Sequence, residues 1–93
     1  AAFSGAKHAK RSLAQSMARE LGPKGIHVAH VVIDGAIDTP WIKELFQDYY
    51  NEKKAIDGLM NPNDIAGNYL WLYKQPRNAW THEIDLRPWV EKW

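Results

Sequence analysis

The run Ile26-His27-Val28-Ala29-His30-Val31-Val32-Ile33 constrains this chain more than any other stretch. Its β-branched residues favour an extended backbone, and its apolar groups fall on both faces. A strand of that kind is covered on both sides, as in a parallel sheet. Parallel neighbours need a crossover of a dozen residues or more. The rest of the chain must therefore supply a partner strand and helices.

A partner is visible from Trp80 to Arg87. Trp80, Ile84 and Leu86 face one way, and Thr81, Glu83, Asp85 and Arg87 the other, which predicts a half-exposed strand ended by Pro88. Ahead of the first strand, Phe3, Ala6, Leu13, Met17 and Leu21 recur at helical spacing with Ala14 and Ala18. They predict a helix from about Ala2 to Leu21 with those residues inward. Gly22-Pro23-Lys24-Gly25 stops it. Thr39-Pro40 reads as an N-cap followed by Pro at the first helical position. The short helix it opens has Trp41, Leu45 and Tyr49, with Ile42 and Phe46, on its apolar side. Asn51 to Met60 shows no period and reads as loop. Asn61-Pro62-Asn63-Asp64 starts a further helix to about Lys74, with Ile65, Ala66, Tyr69, Leu70, Leu72 and Tyr73 inward or partly so. Trp89 and Trp93 lie in a tail. The order is helix, strand, short helix, helix, strand, and a right-handed crossover makes the two strands parallel neighbours. The expected class is α/β: a partial Rossmann-like, doubly wound fold with two adjacent parallel strands, residues 1–93 forming one domain.

At 93 residues such a domain has little core and marginal stability by itself. A net charge of +1 gives no reason to expect a nucleic-acid or membrane partner. Cysteine is absent, and no apolar run approaches the ~20 residues that span a bilayer. No signal-peptide pattern is present, so the cytoplasm is the expected location. The first residue is Ala, which leaves a processed or excised start open.

Phe3-Ser4-Gly5-Ala6-Lys7 resembles the Tyr-x-x-x-Lys segment of the short-chain dehydrogenase/reductase family. The rest follows in that family's order. The long Ala-rich helix, Gly22 to Val28, and Asp34-Gly35-Ala36-Ile37-Asp38-Thr39 are similar to its second half, where the segment after the strand usually reads Pro-Gly-x-Val/Ile-x-Thr. Asn61 to Ala66 resembles the start of its last long helix, and Trp80 to Leu86 its last strand. The resemblance implies that a complete parent protein uses NAD(P), with Lys7, Asp34, Gly35, Ile37 and Thr39 at the cofactor. It also implies departures. Phe3 stands where the family has its catalytic Tyr, and Asp34 where it has Pro. The family's Ser, Asn and Gly-rich phosphate-binding turn have no counterpart in these residues.

The residues themselves allow plainer readings. A phenyl ring has no exchangeable proton, so Phe3 reads as a packing residue. Lys7 reads as a solvated helix lysine, and Thr39 as a cap. His27 and His30 lie three apart on a strand and point to opposite faces, so no metal pair is expected. Ser4 and Ser16 lack a triad context. Three functions follow as expectations. In the first, the isolated chain has no dehydrogenase activity and no cofactor, and acts as an interaction or structural module, as a homodimer or higher homo-oligomer. In the second, it is part of a longer NAD(P)-dependent oxidoreductase. In the third, the aromatic 41–50 segment binds a small molecule.

Overall fold

The protein is described by a computed structural model covering residues 1–92. Trp93, half of the predicted Trp tail, lies outside the described residues.

Helix α1 spans Ala2–Leu21 and is followed by a 3₁₀ turn at Gly22–Lys24. Gly25 closes that turn at φ +82°, a left-handed conformation that glycine adopts without a Cβ penalty. Strand β1 is His30–Ile33 and β2 is Glu83–Leu86. They pair in parallel, His30 opposite Glu83 and Ile33 opposite Leu86. Between them lie α2 at Pro40–Leu45, α3 at Gln47–Lys54 and α4 at Pro62–Tyr73. This is the expected partial Rossmann-like arrangement of two adjacent parallel strands joined by a helical crossover.

Both strands are shorter than their sequence patterns. The ladder begins where the His30 N–H donates to the His82 carbonyl at 2.7 Å. Before that point, side chains join the two segments instead. His27 Nε2 bonds the Thr81 carbonyl at 2.7 Å, and the His27 ring stacks on Trp80 with centroids 4.7 Å apart. His82 Nδ1 bonds the Val28 carbonyl at 3.0 Å. The polar side of β2 is less open than its alternation suggests. Thr81, Glu83 and Arg87 are half-buried, because Gln75, Arg11 and the Asp34/Asp85 pair lie against them.

The predicted caps are in place. Thr39 Oγ1 accepts from the Ile42 N–H, and Asn61 Oδ1 from the Asn63 N–H. The expected single helix after Pro40 is instead two. Phe46, at φ −134° and ψ 54°, breaks the helical path, and α3 then occupies part of the segment read as loop. Asp48 in its first turn and Lys53 and Lys54 in its last complement the helix dipole, a signal that apolar periodicity does not register.

The largest correction concerns the inward faces. Phe3, Leu13 and Met17 on α1 are exposed, as are Tyr69, Leu70 and Tyr73 on α4. Leu72, 6% exposed, is the buried hydrophobic residue among the described ones. The helices form as their spacing predicts, but nothing among the described residues covers those faces. No helix among the described residues is long and apolar enough to cross a membrane.

Candidate functional site at the carboxyl ends of the strands

In open α/β sheets ligands bind beyond the carboxyl ends of the strands. Here that end is formed by Ile33-Asp34-Gly35 after β1 and Arg87-Pro88 after β2. Helix α1 runs back along the sheet so that its first turns reach the same end. Phe3, Lys7, Ile33 and Asp34 line one open cleft of about 520 Å³ with Tyr69 and Asp85. Phe3 is 76% exposed, which corrects its reading as an inward packing residue. The Lys7 ammonium stands 5.3 Å from the centre of the Phe3 ring. A cation over an aromatic face is attracted by the ring quadrupole, so this contact orients Lys7 without neutralising it.

Asp34 is fixed from the neighbouring strand. Arg87 Nη2 lies 3.2 Å from Asp34 Oδ2, while the same guanidinium bonds Asp85 at 2.9 and 3.1 Å. Those bonds hold the Asp85 carboxyl below the usual carboxylate range. The next residue, Gly35, has φ +153°, and a Cβ there would lie 2.5 Å from Pro88 Cδ. Gly35 thus lets the chain leave β1 directly beneath the end of β2. Ile37 pairs with Met60 in an isolated parallel bridge, and Thr39 caps α2. Of the five predicted cofactor contacts, Lys7 and Asp34 share a cleft. Gly35, Ile37 and Thr39 shape the turn that follows.

A second cleft, also about 520 Å³, lies on the other side of that turn. Asp38, Lys54, Met60, Asp64 and Arg87 are among its lining residues. Asp38 Oδ2 accepts from Lys54 Nζ at 2.5 Å. Reading the sequence missed Arg87, Asp38 and Lys54. Alternation puts Arg87 on an outward strand face, and Asp38 and Lys54 are sixteen positions apart with no periodicity linking them.

The family model described as enoyl-(acyl carrier protein) reductase matches residues 1–84. The chain belongs to the short-chain dehydrogenase/reductase family. Among solved structures, a short-chain dehydrogenase from Rhodopseudomonas palustris is 43% identical and superposes with a TM-score of 0.64. That likeness covers 96% of this chain and 30% of the dehydrogenase, so the chain spans about a third of the length of this family member. No curated protein matches the chain.

Proposed function

We propose that these residues form the nicotinamide- and substrate-facing part of an NAD(P)-linked short-chain dehydrogenase fold, and that alone they act as an assembling module without dehydrogenase activity. The observation that supports this reading is the open cleft that holds Phe3, Lys7 and Asp34; by the resemblance to Tyr-x-x-x-Lys, its phenyl ring stands where the family places a phenol. When bound, NAD(P) supplies the hydride. The reaction also needs a proton at the substrate oxygen, which a phenol beside an ammonium can give or take. Phe3 has none to exchange. Even a complete protein would then draw its proton from water or another side chain.

The residues present fit one end of the cofactor. Lys7 is held by an aromatic face rather than a carboxylate, which leaves its ammonium able to donate to a nicotinamide ribose. Gly35 keeps the backbone after β1 free of side-chain bulk. Asp34 is locked by Arg87 and contributes shape and charge at the strand end. The pyrophosphate end is different. It is normally held by backbone N–H groups of a Gly-rich turn opening a helix. The glycines of this sequence are scattered singly and form no such turn.

Titration calorimetry of the 93-residue chain with NADH and NADPH should show no saturable binding. A dissociation constant in the micromolar range would overturn the proposal. Phe3→Tyr restores the phenol but not the pyrophosphate cradle, and should give no cofactor oxidation above the unmodified chain. Measurable turnover by that variant would show that these residues suffice for catalysis.

A further inference from the structure

The ladder between β1 and β2 joins four pairs, from His30–Glu83 to Ile33–Leu86. Parallel ladders space their hydrogen bonds evenly, so so short a backbone ladder does little to favour one register over its neighbours. Side chains must choose it. Continuing the observed register past both ends sets His27 opposite Trp80, Asp34 opposite Arg87 and Gly35 opposite Pro88. All three pairs are in contact. At the carboxyl end, Asp34 and Arg87 form their ion pair at 3.2 Å, and the Gly35 backbone lies against the Pro88 ring. At the amino end, the His27 and Trp80 rings stack with 2° between their planes.

That stack is specific to one register. A slip by one residue would set His27 against Ala79 or Thr81, neither of which has a ring. Two imidazole bonds add to it, and they are reciprocal. His27 Nε2 donates to the Thr81 carbonyl at 2.7 Å, and His82 Nδ1 to the Val28 carbonyl at 3.0 Å. A carbonyl can only accept, so in each ring the contacting nitrogen carries the proton. The two rings are therefore opposite tautomers. The other nitrogen of His82, Nε2, is buried with no hydrogen-bond partner among the described residues. Moving the proton to it would leave a buried N–H unpaired and take the donor from the Val28 carbonyl. Thr81 is itself held from the turn after α4. Its N–H donates to Gln75 Oε1 at 2.7 Å, and Gln75 Nε2 donates to its hydroxyl at 2.8 Å.

We propose that His27 and His82 are positioning residues: through opposite tautomers they fix the register of β1 on β2, and so bring Asp34 to Arg87 and Gly35 to Pro88 at the far end of the ladder. The importance of that end rests on the function proposed above, but the register lock does not. Its test needs neither cofactor nor turnover, so the lock and the functional reading fail separately.

The test is NMR on the 93-residue chain and its variants. Nitrogen-15 spectra of the rings should show the proton on Nε2 in His27 and on Nδ1 in His82. The other tautomer at either ring would overturn the proposal, whatever the variants do. In His27→Leu with His82→Leu, nuclear Overhauser contacts from Asp34 and Gly35 to Arg87 and Pro88 should weaken, and contacts between residues shifted along the ladder should appear. Gln returns an amide N–H near the place of Nε2, and Asn one near the place of Nδ1. His27→Gln with His82→Asn should therefore restore the native contacts. Native contacts at full strength in the leucine pair would overturn the lock. So would their loss without shifted contacts, which would mean that the rings stabilise the fold without choosing its register. Equal loss in the leucine and amide pairs would also rule it out, since the rings would then serve only as packing.

Discussion

At Gly35 a single hydrogen atom decides whether two strand ends can meet. Its φ of +153° is rarely adopted by residues with a side chain, and Pro88 occupies the space a Cβ would need. Gly35→Ala should therefore destabilise the fold by about 1–3 kcal/mol, through overpacking and backbone strain together. A urea titration followed by circular dichroism would measure it, and an unchanged midpoint would refute the argument. The sequence showed Gly35 as a turn residue but not the proline that makes glycine obligatory there, because the two are far apart in the chain. Thr39 is the opposite case. Its Thr-Pro pair identifies a cap from two adjacent residues, and the cap bond to the Ile42 N–H is present. Thr39→Ala should cost about 1 kcal/mol in the same titration. Phe3 shows the limit of local reading. Helical spacing says which face it occupies, and only the tertiary structure says whether that face is covered.

Elements whose signal is local were legible, and elements held by distant partners were not. The β-branched run located β1, and the Asn-Pro and Thr-Pro caps located two helix starts. Helix α3 was missed because its support is charge placement and a bond to Asp38, not apolar period. The docking of α1 was equally hidden. Arg11 Nε donates to Glu83 Oε2 at 2.8 Å, joining residues 72 positions apart, and His30 Nδ1 stands 3.5 Å from the same oxygen. The Arg11 hydrogen bond, with smaller help from His30, holds the Glu83 carboxyl below its ordinary value. A depressed carboxyl contributes its stability above the unfolded value of about 4.3, and loses it as pH falls through the lower folded value. Exchange protection in α1 should therefore decline on the acid side of about pH 4. In Glu83→Gln that pH dependence should vanish, with α1 already less protected at neutral pH. An acid profile for α1 that Glu83→Gln leaves intact would show that Glu83 does not hold the helix.

As a whole the chain is more open than its length requires. Its radius of gyration is 15.9 Å, against about 12 Å for a closed domain of this length. Its accessible surface is 7149 Å², against about 5500 Å² for a compact monomer of this mass. The excess is apolar in character, from Leu13 and Met17 on α1 to Tyr69, Leu70, Trp71 and Tyr73 on α4. A two-stranded sheet is marginal on its own, and among the described residues only β2 pairs with β1. Exposed apolar surface on this scale marks an interaction face or an aggregation liability. A second copy of this chain is always available to itself, and a two-fold axis would bury the same patch on each copy. The Ala-rich face of α1 (Ala6, Ala9, Ala14 and Ala18) lets another helix approach closely, and the free edge of β1 can accept a strand. The purified chain is therefore expected to be a homo-oligomer, with a dimer as the smallest closed form. Light scattering after size exclusion at low micromolar concentration would measure its mass. Leu13→Lys places a charge on the exposed apolar face of α1 and should shift the population toward monomer, with lower helical content by circular dichroism. A monomer with a cooperative unfolding transition would overturn the expectation. It would mean that these faces are tolerated in water, and that the missing cover is not what limits the fold.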